Sequence, residues 1–199
     1  MAVLGVILAG GKSSRMGGLD KGDVTLADRP MIAHVIDRFA PQVDRLILNA
    51  PVDRYVDVGL PHIPDPIAGQ PGPLTGLFAA MRWAETHAPD VAFVATTPVD
   101  TPFLPADVVT RLRGAFVGSG TVAIAYAVSP AGPQPVFVLA RMTLADRLER
   151  DLKAGKASRV GEWIRRQQHA AIPFPDDGGF TNINAHADLA LAEARMKKD

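Results

Sequence analysis

The chain has 199 residues, no cysteine, and 21 Lys+Arg against 21 Asp+Glu. That length supplies the core of one domain, while the charge balance excludes a global field for nucleic acid or an anionic membrane. The missing cysteine excludes disulfides, thiolate zinc sites and cysteine nucleophiles together, and the five His (34, 62, 87, 169, 186) show no zinc-type spacing.

In chain order, Val3–Leu8 is a short apolar run rich in β-branched residues, read as a buried strand. It is too short and lacks the charged flank for a signal peptide or a membrane span, so a cytoplasmic protein is expected. It runs straight into Ala9-Gly10-Gly11-Lys12-Ser13-Ser14-Arg15-Met16-Gly17-Gly18-Leu19-Asp20-Lys21. A glycine-rich loop after a strand brings backbone N–H groups and three cations, Lys12, Arg15 and Lys21, against a triphosphate. It is not a Walker loop, because Gly5 stands six residues before Gly11, and the dinucleotide Gly-x-Gly-x-x-Gly is absent.

Beyond Pro30, Ile32, Val35, Ile36 and Phe39 have helical spacing. Leu46–Asn49 reads as a strand, and Leu74, Leu77, Phe78 and Met81 as a helix. Val91–Ala95 is the next strand, and Val109, Leu112 and Phe116 mark a helix. Val122–Tyr126 and Val136–Leu139 read as strands. Leu144, Leu148 and Leu152 suggest a helix, as do Val160, Trp163 and Ile164, with Trp163 a core residue. The tail from Ala185 is helical with Asn184 as its N-cap. The Pro/Gly clusters at 59–76 and 130–135 read as long functional loops. Alternating strands and helices predict a single three-layer α/β/α domain with a mainly parallel sheet. In such a sheet ligands bind beyond the C-terminal strand ends, where Asn49, Asp65 and Asp100 converge with the glycine loop.

Asp100, between Pro98 and Pro102, is a stiff oxygen ligand suited to Mg²⁺ with phosphate, or a turn residue capping the helix after Pro102. Asp65 is suited to accept from guanine N1–H and its exocyclic amine, and equally to bond its own backbone. Asn49 ends a strand, where Asn is also a turn former. Asn182 and Asn184 point the same way if their segment is extended, and can bind a ligand or cap the last helix. Arg159 can hold an acceptor phosphate or simply be solvated.

Leu8-Ala9-Gly10-Gly11 with Arg15-Met16-Gly17 and Lys21, Gly72-Pro73-Leu74-Thr75-Gly76, Asp100-Thr101-Pro102 and Asn182-Ile183-Asn184 resemble the motifs of molybdenum cofactor guanylyltransferases (MobA type), within the nucleotide-diphospho-sugar-transferase-like superfamily. The resemblance covers nearly the whole chain. It implies transfer of GMP from GTP to molybdenum-molybdopterin, giving molybdopterin guanine dinucleotide and pyrophosphate, with Mg²⁺ as cofactor and metal ligand Asp100. It implies catalytic roles for Arg15, Lys21 and Asp100. GTP would be held by Leu8, Ala9, Gly10, Gly11, Lys21, Asn49, Asp65 and Asp100, and the acceptor by Asn182, Asn184 and Arg159. Residues 1–101 would then be mainly the GTP/Mg half and 102–199 mainly the acceptor half. Molybdopterin-handling proteins and apo-molybdoenzymes are the implied partners. Rival readings are the cytidylyltransferase of the same cofactor, which typically has Ala where Gly10 stands, another small nucleotidyltransferase acting on a sugar or terpenoid phosphate, and a non-catalytic cofactor chaperone.

Overall fold

A seven-stranded sheet, ordered β5-β4-β1-β6-β8-β7-β9, organises the chain in the computed structural model, which describes residues 1–10, 21–51, 53–66, 72–175 and 178–197. The strands are β1 (Ala2–Leu8), β4 (Arg45–Asn49), β5 (His62–Ile63), β6 (Val91–Pro98), β7 (Ile124–Ser129), β8 (Gly132–Arg141) and β9 (His169–Pro173). β2 (Thr25–Leu26) and β3 (Arg29–Pro30) form a separate small hairpin. The helices are α1 (Met31–Phe39), α2 (Pro73–His87), α3 (Val108–Gly114), α4 (Ala145–Lys153), α5 (Val160–Arg165) and α6 (His186–Met196). β5, β4, β1 and β6 run parallel; β8 is antiparallel to β6 and β7; β9 is parallel to β7. The mainly parallel α/β expectation is thus met.

The period-2 alternation of β1 sets up the two covering layers. Leu4 and Val6 join α2, α4 and α5 in one apolar cluster, while Val3 and Ile7 join α1 and α3 in another. Position 5 falls on the second face by the same alternation and is glycine there, where a Cβ would come within 2.9 Å of Phe39 and Val43. Trp163 is fully buried in the first cluster, its Nε1 donating to Asp151 at 2.9 Å. The chain leaves β1 for β4 on one side, then for β6 on the other, so the strand order reverses at the C-terminal end of β1. A crevice opens there in such sheets.

A third cluster matters more for the site. Val24, Leu26, Met31, Phe103, Ile183 and Ala192 pack together under the β2–β3 hairpin. They bring the start of the described segment after residue 20, the turn after β6 and the approach to α6 into one place. The hairpin turn itself has Ala27 (φ 47°) and Asp28 (φ 62°) in the left-handed region that a two-residue primed turn requires.

Three readings are corrected. The segment 130–135 is no long loop: Ser129 pairs with Gly132 in a tight β7–β8 hairpin. Its prolines misled, but β8 pairs with β6 only over Val138–Arg141, so Pro133 and Pro135 overhang the end of β6, where a missing N–H breaks no ladder bond on that side. β6 continues past Ala95 to Pro98, with β-branched Thr96 and Thr97 in register with Val6 and Ile7. β9, which pairs along the sheet edge, carries too little hydrophobic alternation to be seen in sequence.

Candidate active site

The C-terminal ends of the parallel strands open onto a cleft of about 590 Å³. Leu8, Gly10, Asn49, Asp65, Gly72, Pro73, Pro98, Asp100, Gln134, Pro135, Val136, Phe137 and Asn182 line it. The sheet order sets their sequence along the cleft. Asp65 and Asn49 stand at the β5/β4 side, Gly10 after β1, Asp100 after β6, and Gln134 to Phe137 on the β8 overhang. Four strand spacings separate β5 from β8, a span of about 19 Å. The cleft is therefore long enough for two linked ligand moieties, not one.

At the β4/β5 end, Asn49 is buried, and its Nδ2 donates to the Ile63 carbonyl at 3.1 Å and to Asp65 Oδ1 at 3.0 Å. Asn49 thus holds one oxygen of Asp65. Among the described residues, and apart from chain neighbours, the other, Oδ2, is the one atom within 4 Å of where a Gly10 Cβ would stand, at 3.7 Å. Behind Asn49, a Cβ on Gly76 would lie 2.3 Å from Asn49 Oδ1 and 2.5 Å from Leu8 Cδ2. The glycine of the Gly72–Gly76 motif is therefore a packing requirement of the Asn49–Asp65 pair. Gly72 and Pro73 deliver the N-terminus of the 15-residue α2 to the cleft, where its dipole favours anions. Ala9 does not line the cleft: it is buried, and its N–H donates to the Asn49 carbonyl at 2.8 Å.

At the centre, Lys21 Nζ donates to Asp100 Oδ2 at 2.7 Å and to Asn184 Oδ1. Asp100 Oδ1 is buried without a hydrogen-bond partner among the described residues. An ionised oxygen left unpaired in a buried site is costly unless something binds it. That orphaned oxygen, hard and beside a phosphate-sized space, suits a Mg²⁺ ion that takes one protein carboxylate and completes its shell with phosphate and water. Among the described residues no cluster of three or more metal-binding side chains exists. Gly11, Lys12 and Arg15 lie outside the described residues.

At the β8 end, Asn182 is exposed on the cleft, and Gln134 lines it with its Nε2 donating to Ser129 Oγ at 3.1 Å. Sequence reasoning gave Gln134 no role of its own, since a Gln between prolines carries no periodic signal. Asn184 is not the N-cap of α6. Asp188 Oδ2 reaches back to accept from the Asn184 and Ala185 N–H groups at 2.9 Å each, while the Asn184 side-chain amide turns to Lys21. The Asp100 backbone carbonyl in turn accepts the Ile183 N–H at 2.9 Å, tying this segment to the turn that carries the metal-ligand candidate. Arg159 is not brought in. It is exposed, paired with Glu162 at 3.0 Å, and absent from the lining. No described His lines the cleft.

The open space beside Gly10 gives a clean expectation. Gly10→Ala has room for its methyl within the fold, so the thermal midpoint should hold. The methyl would crowd whatever donates to Asp65 Oδ2, so nucleotide affinity should fall several-fold. Titration calorimetry beside a melting curve checks both.

Comparison with known proteins adds three findings. The family of MobA-like NTP transferase domains matches residues 5–171. The chain is 42% identical, over all of both chains, to a molybdenum cofactor guanylyltransferase of Cereibacter sphaeroides, and 41% identical to one of Burkholderia orbicola, covering 98% of this chain and 97% of that one. Its fold is similar to the crystal structure of molybdopterin-guanine dinucleotide biosynthesis protein A from Archaeoglobus fulgidus, with a TM-score of 0.78 at 21% identity, covering 99% of this chain and 100% of the other.

Proposed function

This chain belongs to the family of MobA-like NTP transferases, and from that premise we infer that it is a guanylyltransferase moving GMP from GTP to the terminal phosphate of molybdenum-molybdopterin. One observation carries the reading: a single cleft presents Asp65 Oδ2 at one end, the unpaired Asp100 Oδ1 at its centre and polar Asn182 and Gln134 at the other.

Guanine sits at the Asp65 end. One carboxylate oxygen accepting from N1–H and the exocyclic amine favours guanine over bases that lack this pair of adjacent donors. Gly10 leaves the backbone open beside that oxygen. The triphosphate then lies over β1 and β6, between the N-terminus of α2, Lys21 and Asp100. The acceptor takes the β8 end.

An oxygen of the acceptor phosphate attacks the α-phosphorus of GTP in line. The bond from that phosphorus to the bridging oxygen of the β-phosphate breaks, and pyrophosphate leaves. A phosphate dianion is already a nucleophile, so the step needs no general base, in keeping with the absence of His from the described lining. Catalysis is then positioning and charge neutralisation. Lys21 holds its ammonium on the phosphates, oriented by Asp100 and Asn184, and Arg15 of the glycine loop adds a second cation. Mg²⁺ held by Asp100 would neutralise phosphate charge and hold the leaving group. Because Lys21 bridges Asp100 and Asn184, the two halves of the chain meet at the transferring phosphate. Asn184 is then part of the phosphate machinery, and Asn182 is the amide left for the acceptor.

That division is testable. Asn182→Ala should leave GTP affinity unchanged and weaken molybdopterin binding by about 1–3 kcal/mol, the cost of leaving a buried partner unpaired. Asn184→Ala should instead lower turnover through Lys21. Paired titrations of GTP and acceptor on each variant decide it; equal losses of both ligands in Asn182→Ala would assign that amide to the fold.

The reading as a whole is tested by thermal stabilisation with GTP, CTP, ATP and UTP in the presence of Mg²⁺. A ligand at 100 times its dissociation constant stabilises by about 2.7 kcal/mol, so preference is visible directly. GTP should give the largest shift. A larger shift with CTP would move the assignment to a cytidylyltransferase.

A further inference from the structure

Tyr55 does not line the cleft, yet it packs against Gly22, the residue next to the lysine that is bound to Asp100. It is nearly buried, and its Oη accepts the Gly22 N–H at 3.3 Å. A Cβ on Gly22 would come within 2.7 Å of the Tyr55 ring and 2.9 Å of Val99 Cγ2. The backbone next to Lys21 is therefore pressed between an aromatic ring and the residue that precedes Asp100. Val99 is fixed in turn, its N–H donating to the Leu8 carbonyl at 3.1 Å. Tyr55 holds this place with φ 54° and ψ 33°, a left-handed conformation that a bulky L-residue rarely adopts. Such a conformation persists where the surroundings over-determine it, and often where function uses it.

The mechanical need is plain. Lys21 ends a glycine-rich segment and carries its charge on a flexible four-carbon stem. Asp100 and Asn184 hold the ammonium, but nothing in that pair fixes the Cα from which the stem departs. Only a glycine at 22 lets the backbone enter the slot between Tyr55 and Val99. We propose that Tyr55 is a positioning residue for nucleotidyl transfer, clamping Gly22 against Val99 so that Lys21 is registered on Asp100. The proposal rests on the reading of Lys21 as a group that meets the transferring phosphates.

The test is Tyr55→Phe, which keeps the ring in the slot and removes the hydroxyl that accepts the Gly22 N–H. Pyrophosphate release with GTP, Mg²⁺ and molybdopterin is measured in the wild-type and Lys21→Met backgrounds. In the wild-type background kcat should fall about three- to tenfold, the worth of one net hydrogen bond, with KM for GTP unchanged. In the Lys21→Met background the same substitution should change kcat by less than about twofold, since residues acting through one another are non-additive. A merely structural tyrosine would lower both backgrounds alike, and that result, or an unchanged kcat in the wild-type background, overturns the proposal. Should Tyr55→Phe fold poorly, Gly22→Ala reads the same coupling from the other side of the contact, with a larger loss expected. Full turnover by Lys21→Met alone removes the reading of Lys21 and the proposal with it. An impaired Lys21→Met beside an unaffected Tyr55→Phe removes the proposal alone.

Discussion

Asp100→Asn is expected to lower turnover by about 10²–10³ while changing GTP affinity by less than tenfold, the order seen when one preorganised electrostatic element is lost. The two oxygens of Asp100 have different tasks. Oδ2 accepts from Lys21 at 2.7 Å, and an asparagine carbonyl oxygen still accepts there, as a neutral hydrogen bond in place of the ion pair. Oδ1 is buried and unpaired, and the substitution puts an NH₂ group in its place. A donor then faces a position suited to a cation, and the charge that draws the cation is gone. The fold should not suffer. An unpaired ionised oxygen opposes folding when no ligand is present, and relief of that cost offsets the weakened Lys21 contact, so the metal-free thermal midpoint should stay close to that of the wild type. Stability and activity thus move apart, as they do at groups held for function. Pyrophosphate release at a near wild-type rate would make Asp100 a turn residue and place the metal elsewhere. A falling midpoint in metal-free protein would contradict the account of Oδ1.

Gly76→Ala should weaken GTP binding by at least about tenfold, although residue 76 is not among those lining the cleft. Its new methyl would lie 2.3 Å from Asn49 Oδ1 and 2.5 Å from Leu8 Cδ2. Asn49 cannot move freely, being buried and bonded to Ile63 and Asp65. Something must yield, and overpacking of this kind costs about 1–3 kcal/mol of stability. If Asn49 yields, Asp65 loses the donor that aims its carboxylate. Hydrogen bonds to a charged group are worth about 1.5–3 kcal/mol, which sets the scale of the affinity loss. Asn49→Ala combined with Gly76→Ala separates the two effects: removing the amide relieves the clash with Asn49 and leaves only that with Leu8, so the midpoint should recover in part, but Asp65 remains unsupported, so GTP affinity should not. Recovery of both would mean that Asn49 plays no part in nucleotide binding. Calorimetric titration and melting curves on the same three proteins supply the answer.

Much of this architecture is legible in one dimension because the signals are local. β1, α1, β4, α2 and β6 each announce themselves by apolar period and flanking Gly or Pro, and their alternation implies a parallel sheet with its ligands at one edge. That rule alone gathers Gly10, Asn49, Asp65 and Asp100, and the structure lines one cleft with all four. Local signals fail where pairing decides conformation. Gly132-Pro133-Gln134-Pro135 reads as a loop, because prolines rarely sit inside sheets; it is a strand here because it pairs with β7 while outrunning β6, so that its prolines meet no ladder on the β6 side.

The chain by itself determined the residue types: a glycine-rich cationic loop, hard carboxylates at strand ends, and amides before the last helix. It could not assign their atoms. That Asn184 serves Lys21 and leaves the helix terminus to Asp188 depends on contacts spanning most of the chain, set by the cluster of Leu26, Met31, Phe103 and Ile183. That Gly76 guards Asn49, that Tyr55 backs Gly22, and that Arg159 turns to Glu162 outside the cleft are outcomes of packing between elements distant in sequence. Hydrophobic period and turn chemistry are short-range properties that a sequence carries intact. Which oxygen of Asp100 is left unpaired depends on every neighbour at once, and only the folded chain brings those neighbours together.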